Sequence, residues 1–115
     1  MTGLLEVEVT CPDAEVASAI ARACIEARLA ACAQVWPGLR SLFSWQGAVA
    51  DEAEVALRLK TTEARFDALA ACIRALHPYE VPAIQGLPVT AATDDFADWV
   101  RAETSPAPDD AAGGH

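Results

Sequence analysis

Residues 51–60 read Asp51-Glu52-Ala53-Glu54-Val55-Ala56-Leu57-Arg58-Leu59-Lys60. Val55, Leu57 and Leu59 alternate with Glu54, Ala56, Arg58 and Lys60. A period of two with one polar face is the pattern of a half-buried strand. Upstream, Ala31 to Trp45 is rich in apolar and aromatic residues and is broken by Pro37-Gly38. Proline lacks the amide donor that a central strand needs, so the break predicts a bulge or bend within one long strand. Gln46-Gly47 is a turn signal between the two runs, which together read as a hairpin.

The flanks of that hairpin decide the fold. Before it, Leu5, Val7 and Val9 alternate with Glu6, Glu8 and Thr10, a strand that Pro12 ends. Asp13 is a good helix cap, Glu15 suits the positive end of the dipole, and Val16, Ala17, Ile20, Cys24 and Ala27 recur at helical spacing to about Arg28. After the hairpin, Thr61 or Thr62 is the expected cap of a second helix with the stripe Phe66, Leu69, Ile73 and Leu76. His77-Pro78 stops it, because the residue before proline is pushed out of the helical region. Ala83 to Val89 is a short strand, and Pro88 confines it to an edge or an end. Thr93-Asp94-Asp95 opens a third helix through Phe96, Trp99 and Val100. The order β-α-β-β-α-β-α places both hairpin-separated helices on one face of an antiparallel sheet. The expectation is an α+β, ferredoxin-like sandwich with an extra C-terminal helix. One domain over residues 1–103 is followed by a polar tail, 104–115, in which nothing is expected to bury.

The 115 residues suffice for one domain and its own core. No apolar run approaches the roughly 18 residues of a membrane span. The N-terminus has no signal-peptide layout, so the expected compartment is cytoplasmic. A net charge of −9 argues against nucleic acid and anionic membrane as partners. None of the four cysteines, at 11, 24, 32 and 72, is spaced for a zinc knuckle or a redox motif. Cys24 and Cys72 lie in Ala-rich helical patterns and read as small core residues. Cys11, beside Pro12 at a strand end, and Cys32 are more open to a soft-metal or redox role.

The scarce chemistry gathers in His77-Pro78-Tyr79-Glu80-Val81-Pro82, which holds the only tyrosine and the only histidine besides His115. His77 reads either as helix-end packing or as a metal ligand that needs help from Glu80, a cysteine or a neighbouring subunit. Lys60, the only lysine, is either a strand-end charge or a contact for a polar or anionic ligand. Asp51, Glu52 and Glu54 form a small acidic cluster at a strand entry that reads as a solvated turn rather than as a cation site. Trp36, Trp45 and Trp99 are many for a one-faced core, which suggests plain packing or a subunit interface. No nucleophile has a base beside it and no Gly-rich phosphate loop is present, so an enzyme is not expected.

In order, Ala30-Ala31-Cys32, Pro37-Gly38, Ser41, Trp45-Gln46-Gly47, Lys60-Thr61-Thr62, His77-Pro78-Tyr79, Val81-Pro82, Leu87-Pro88 and Trp99 resemble the CutA family over about residues 4–102. The resemblance implies a ferredoxin-like subunit in a homotrimer with clefts between subunits. It also implies a non-enzymatic role in divalent-cation tolerance, by weak binding of copper or another divalent cation with no obligatory cofactor. The expected metal ligands are His77 first, then Cys11 and Cys32. The alternative is a module similar to PII signalling proteins, with Trp45, Lys60 and Tyr79 lining a cleft for a small anionic or polar metabolite. Three positions depart from the family pattern. Ala83 stands where a glutamate is usual, and Phe43 and Phe96 stand where phenols are usual.

Overall fold

Pro12 ends the first strand as its alternation predicts: β1 spans Leu4–Cys11 and α1 spans Ala14–Glu26. The coordinates are a computed structural model and describe residues 2–106. Asp13 caps α1, its Oδ1 accepting from the Val16 amide at 2.8 Å. The helix stops two residues before the expected Arg28, because Arg28 turns left-handed (φ 60). Its guanidinium then donates to the carbonyls of Ala102 and Ser105 at 2.7 and 2.6 Å.

The hairpin consists of β2 (Cys32–Trp45) and β3 (Ala48–Thr62). Its register shifts between Trp36 and Leu39, where Pro37-Gly38 predicted a bulge. Gln46 and Gly47 both have positive φ, 48° and 80°. That geometry matches the twist of a two-residue hairpin and favours glycine at the second place. A 3-10 turn, Glu63–Arg65, precedes α2 (Phe66–Leu76). The expected Thr cap is therefore corrected. Thr61 still lies in β3, fully buried, its hydroxyl donating to the Leu29 carbonyl at 2.7 Å. Thr62 makes no side-chain cap bond. α2 ends before His77-Pro78, and β4 (Ile84–Val89) and α3 (Asp94–Glu103) follow.

The sheet order is β2-β3-β1-β4, with all three pairings antiparallel. This is the split βαβ arrangement, and Pro88 lies on an edge strand. Val7, Val9 and Cys11 of β1 and Leu57 and Leu59 of β3 meet Ile20 and Cys24 of α1 and Leu69 and Ile73 of α2. Burying each large apolar side chain contributes roughly 1.5–3 kcal/mol. Gly86 permits the close fit on β4, since a Cβ there would stand 3.2 Å from both Leu5 and Phe66.

The opposite face carries Glu6, Glu8, Arg58 and Lys60, paired directly across the strands. It is covered at its Leu4 end, where Leu4 and Ala31 pack with Ala97 and Val100 of α3. α3 runs through Phe96, Trp99 and Val100 as expected, with Val100 buried while Phe96 and Trp99 stay exposed and pack on each other at 6.0 Å. Leu76 of the α2 stripe is exposed as well. Thr104, expected to open an unburied tail, is buried, with its hydroxyl on the Val100 carbonyl. Ser105 and Pro106 are exposed as expected, and the rest of that tail, 107–115, lies outside the described residues.

β1 ends at Cys11, paired with Val55, while the hairpin runs on to Trp45 and Ala48. Leu39–Trp45 and Ala48–Glu54 thus form an arm beyond the body. The arm raises the radius of gyration to 15.2 Å, against about 13 Å for a compact chain of this length.

Candidate functional site

A cavity of about 760 Å³ lies where the arm leaves the body. Thr10 and Pro12 line it from the end of β1, Phe43, Trp45, Glu52 and Glu54 from the arm, and Tyr79, Glu80 and Ala83 from the loop after α2. The volume suits a small ligand. Three carboxylates and three aromatic rings face it, and among the described residues no lysine, arginine or histidine does.

His77 builds this corner without entering it. The ring is nearly buried, 8 % exposed. Nδ1 accepts from the Tyr79 amide at 3.2 Å, which leaves Nε2 to donate its hydrogen to the Thr10 carbonyl at 2.8 Å. That pairing fixes the Nε2–H tautomer. Both nitrogens are engaged, so no lone pair is free for a metal. The helix-end reading of His77 is the one that the geometry matches.

Tyr79 packs against the imidazole at 4.7 Å and donates its hydroxyl to Glu54 Oε2 at 2.7 Å. Burial, then the hydrogen bond and the charge of Glu54, push the phenol well above its ordinary range. Glu54 is only 7 % exposed and belongs to β3. It is not part of a solvated turn, which corrects that reading. Among the described residues it has no ion-pair partner. Asp51 does match the exposed reading and pairs with Arg40.

The other expected site residues lie elsewhere. Cys11 is fully buried in the core, and burial, followed by the charges of Glu54 and Asp13, pushes its thiol up to about 11. A protonated core thiol is a poor metal ligand. Cys32 pairs with Lys60 in the sheet, whereas Cys11 pairs with Val55, five residues away along β3. That separation is roughly 17 Å. Lys60 is ion-paired with Glu6 at 2.8 Å on the open sheet face, which holds the Glu6 carboxyl below its usual range. The structure thus brings Trp45 and Tyr79 together at the cavity and leaves Lys60, Cys11, Cys32 and the His77 nitrogens out of it. Among the described residues, no three His, Cys, Asp or Glu side chains converge to hold a metal ion. No helix there is long and apolar enough to cross a membrane.

Sequence reasoning missed Glu54 as a cavity residue. Its partner Tyr79 is 25 positions away, and no local pattern announces the pair.

The model of the CutA1 divalent ion tolerance protein family matches residues 5–103. This chain belongs to the CutA1 family. It is 45% identical over 96 residues to the divalent-cation tolerance protein CutA of Thermus thermophilus, a match covering 84% of this chain and 93% of that one. The human Protein CutA is 41% identical over 96 residues, covering 84% of this chain and 54% of the human one. A solved structure of the Thermus thermophilus protein superposes with a TM-score of 0.87 at 43% identity, covering 89% of this chain and 99% of that one. Two departures from the family pattern, Phe43 and Ala83, both stand in the cavity wall.

Proposed function

We propose that this CutA1-family protein is a non-enzymatic trimer that contributes to divalent-cation tolerance by weak cation binding at the cavity. The observation that carries the reading is the lining. Glu52, Glu54 and Glu80 give the cavity a negative field, and among the described residues no basic side chain lines it in opposition. The carboxylates do not converge, so a cation there keeps much of its water, and the affinity is low. Hard divalent cations suit such oxygen donors, while copper would need nitrogen or sulfur from a second copy. Trimerisation is supported by the uncovered side chains of the arm and open face, among them Trp36, Leu42, Trp45 and Val49 at 48–75 % exposure.

The cavity also fits a module that binds a small molecule in a cleft. Its acidic, aromatic wall favours a cationic or neutral ligand over an anionic one, and Lys60 lies apart from it.

Calorimetric titration with divalent cations tests the site, in protein with His115 replaced so that the C-terminal imidazole cannot compete. Glu52→Gln with Glu80→Gln weakens binding several-fold, Ala83→Glu tightens it, and His77→Ala leaves it unchanged. Dependence on His77 with indifference to the glutamates would overturn the proposal.

A further inference from the structure

Cys24 of α1 and Cys72 of α2 are 48 positions apart, yet their sulfurs stand 3.7 Å from each other. Each alone reads as a small core residue. Together they are two free thiols in contact across the helix layer, on the face of the sheet opposite the charged one. Cys11, in the same core, contacts no sulfur closely enough to bond. The Cys32 sulfur accepts a long hydrogen bond from Gln34 Nε2 at 4.0 Å.

We propose that Cys24 and Cys72 form a reversible disulfide that clamps α1 to α2. The inference stands apart from the cation reading. Bond formation brings the sulfurs from 3.7 Å to about 2.0 Å, a closure of under 2 Å.

The two residues have unequal tasks. Cys24 is fully buried, and burial, followed by the hydrogen bond to Cys72, pushes its thiol up to about 12. Cys72 is partly exposed and meets the oxidant first. With a small-molecule disulfide such as oxidised glutathione, the Cys72 thiol gives its proton to water. Its thiolate attacks one glutathione sulfur, forms the mixed disulfide and releases one glutathione thiolate. Cys24 Sγ then attacks Cys72 Sγ. The Sγ–Sγ bond forms, the bond to glutathione breaks, and the departing thiolate takes the Cys24 proton. Two electrons pass from the cysteine pair to glutathione, which leaves as two thiols.

The cross-link closes a long loop in the unfolded chain. Loop-closure entropy for about 50 residues lowers the unfolding equilibrium constant by up to about a thousandfold. Oxidation therefore raises the denaturant midpoint and leaves the cavity untouched.

The full chain is reduced, then equilibrated in glutathione buffers of rising oxidised-to-reduced ratio, quenched, alkylated and digested without reduction. The expected result is a fall in free thiols from four to two, a peptide joining Cys24 to Cys72, and reversal by dithiothreitol. Cys11→Ser with Cys32→Ser keeps the linkage, and Cys72→Ser abolishes it. Should Cys72→Ser not fold, the peptide map of the unaltered chain still decides. Four free thiols in folded protein at the most oxidising ratio, or a linkage through Cys11 or Cys32, would overturn the proposal.

Discussion

The two halves of β3 obey the same strand geometry and meet opposite surroundings. From Val55 to Thr62 the strand pairs with β1, and with β2 as well from Ala56 to Lys60, and Val55, Leu57, Leu59 and Thr61 are buried. From Ala48 to Ala53 it has lost β1, every side chain is at least partly exposed, and Val49 is 75 % exposed. Glu54, at the junction, is buried by Tyr79. The body half is satisfied within one chain. The arm half presents Leu42, Phe43, Trp45 and Val49 to solvent and opens a cavity at its root. Two uncovered regions of one strand pair, one apolar and one acidic, account for the proposed assembly and the proposed ligand site together.

The sharpest way to break the comparison is to truncate a side chain in each half. Leu57→Ala removes a fully buried side chain and costs about 2–5 kcal/mol in chemical denaturation. Val49→Ala costs under about 0.5 kcal/mol through contacts within one chain. Any larger cost that depends on protein concentration comes from a second copy.

Alkaline pH separates the halves next. Cys11 and Cys24, both in the body core, have thiols raised from 9.0 to about 11 and about 12. The unfolded chain loses these protons first. The stability that they confer is therefore complete below about pH 9 and is lost as pH rises through 11 to 12. The Tyr79 phenol, raised from 10.0, acts in the same sense from pH 10 upward. Denaturant midpoints measured from neutral to alkaline pH fall along that course, and Cys11→Ala flattens its first part. The smallest effect belongs to the arm's exposed ion pair. Arg40→Ala, which frees Asp51, leaves the midpoint unchanged within error, because water and salt screen such pairs.

Much of this was legible from local pattern. The Val55–Lys60 alternation, the Pro37-Gly38 break, the Gln46-Gly47 turn and the His77-Pro78 stop each rest on a backbone rule that acts within a few residues. They yielded the element order and hence the sheet order. What local pattern could not carry was partnership across the chain. Thr61 looked like a cap because threonine before glutamate usually is one, but the strand ran on and the hydroxyl found Leu29. Glu54 looked solvated beside Asp51 and Glu52 until Tyr79 covered it. His77, Cys11 and Cys32 suggested a metal by residue type alone, whereas the fold spends both imidazole nitrogens on the backbone and puts the thiols far apart. Lys60 shared a motif region with the cleft, yet its strand position sets it beside Glu6.

The central claim is that the arm is built to be covered by further copies of the chain. Light scattering coupled to size-exclusion chromatography at neutral pH tests it most directly. The account predicts a particle of three times the 12.1 kDa chain mass, and Leu42→Asp with Val49→Asp should shift it toward smaller species. A stable, folded 12.1 kDa monomer of the unaltered chain at micromolar concentration would contradict it.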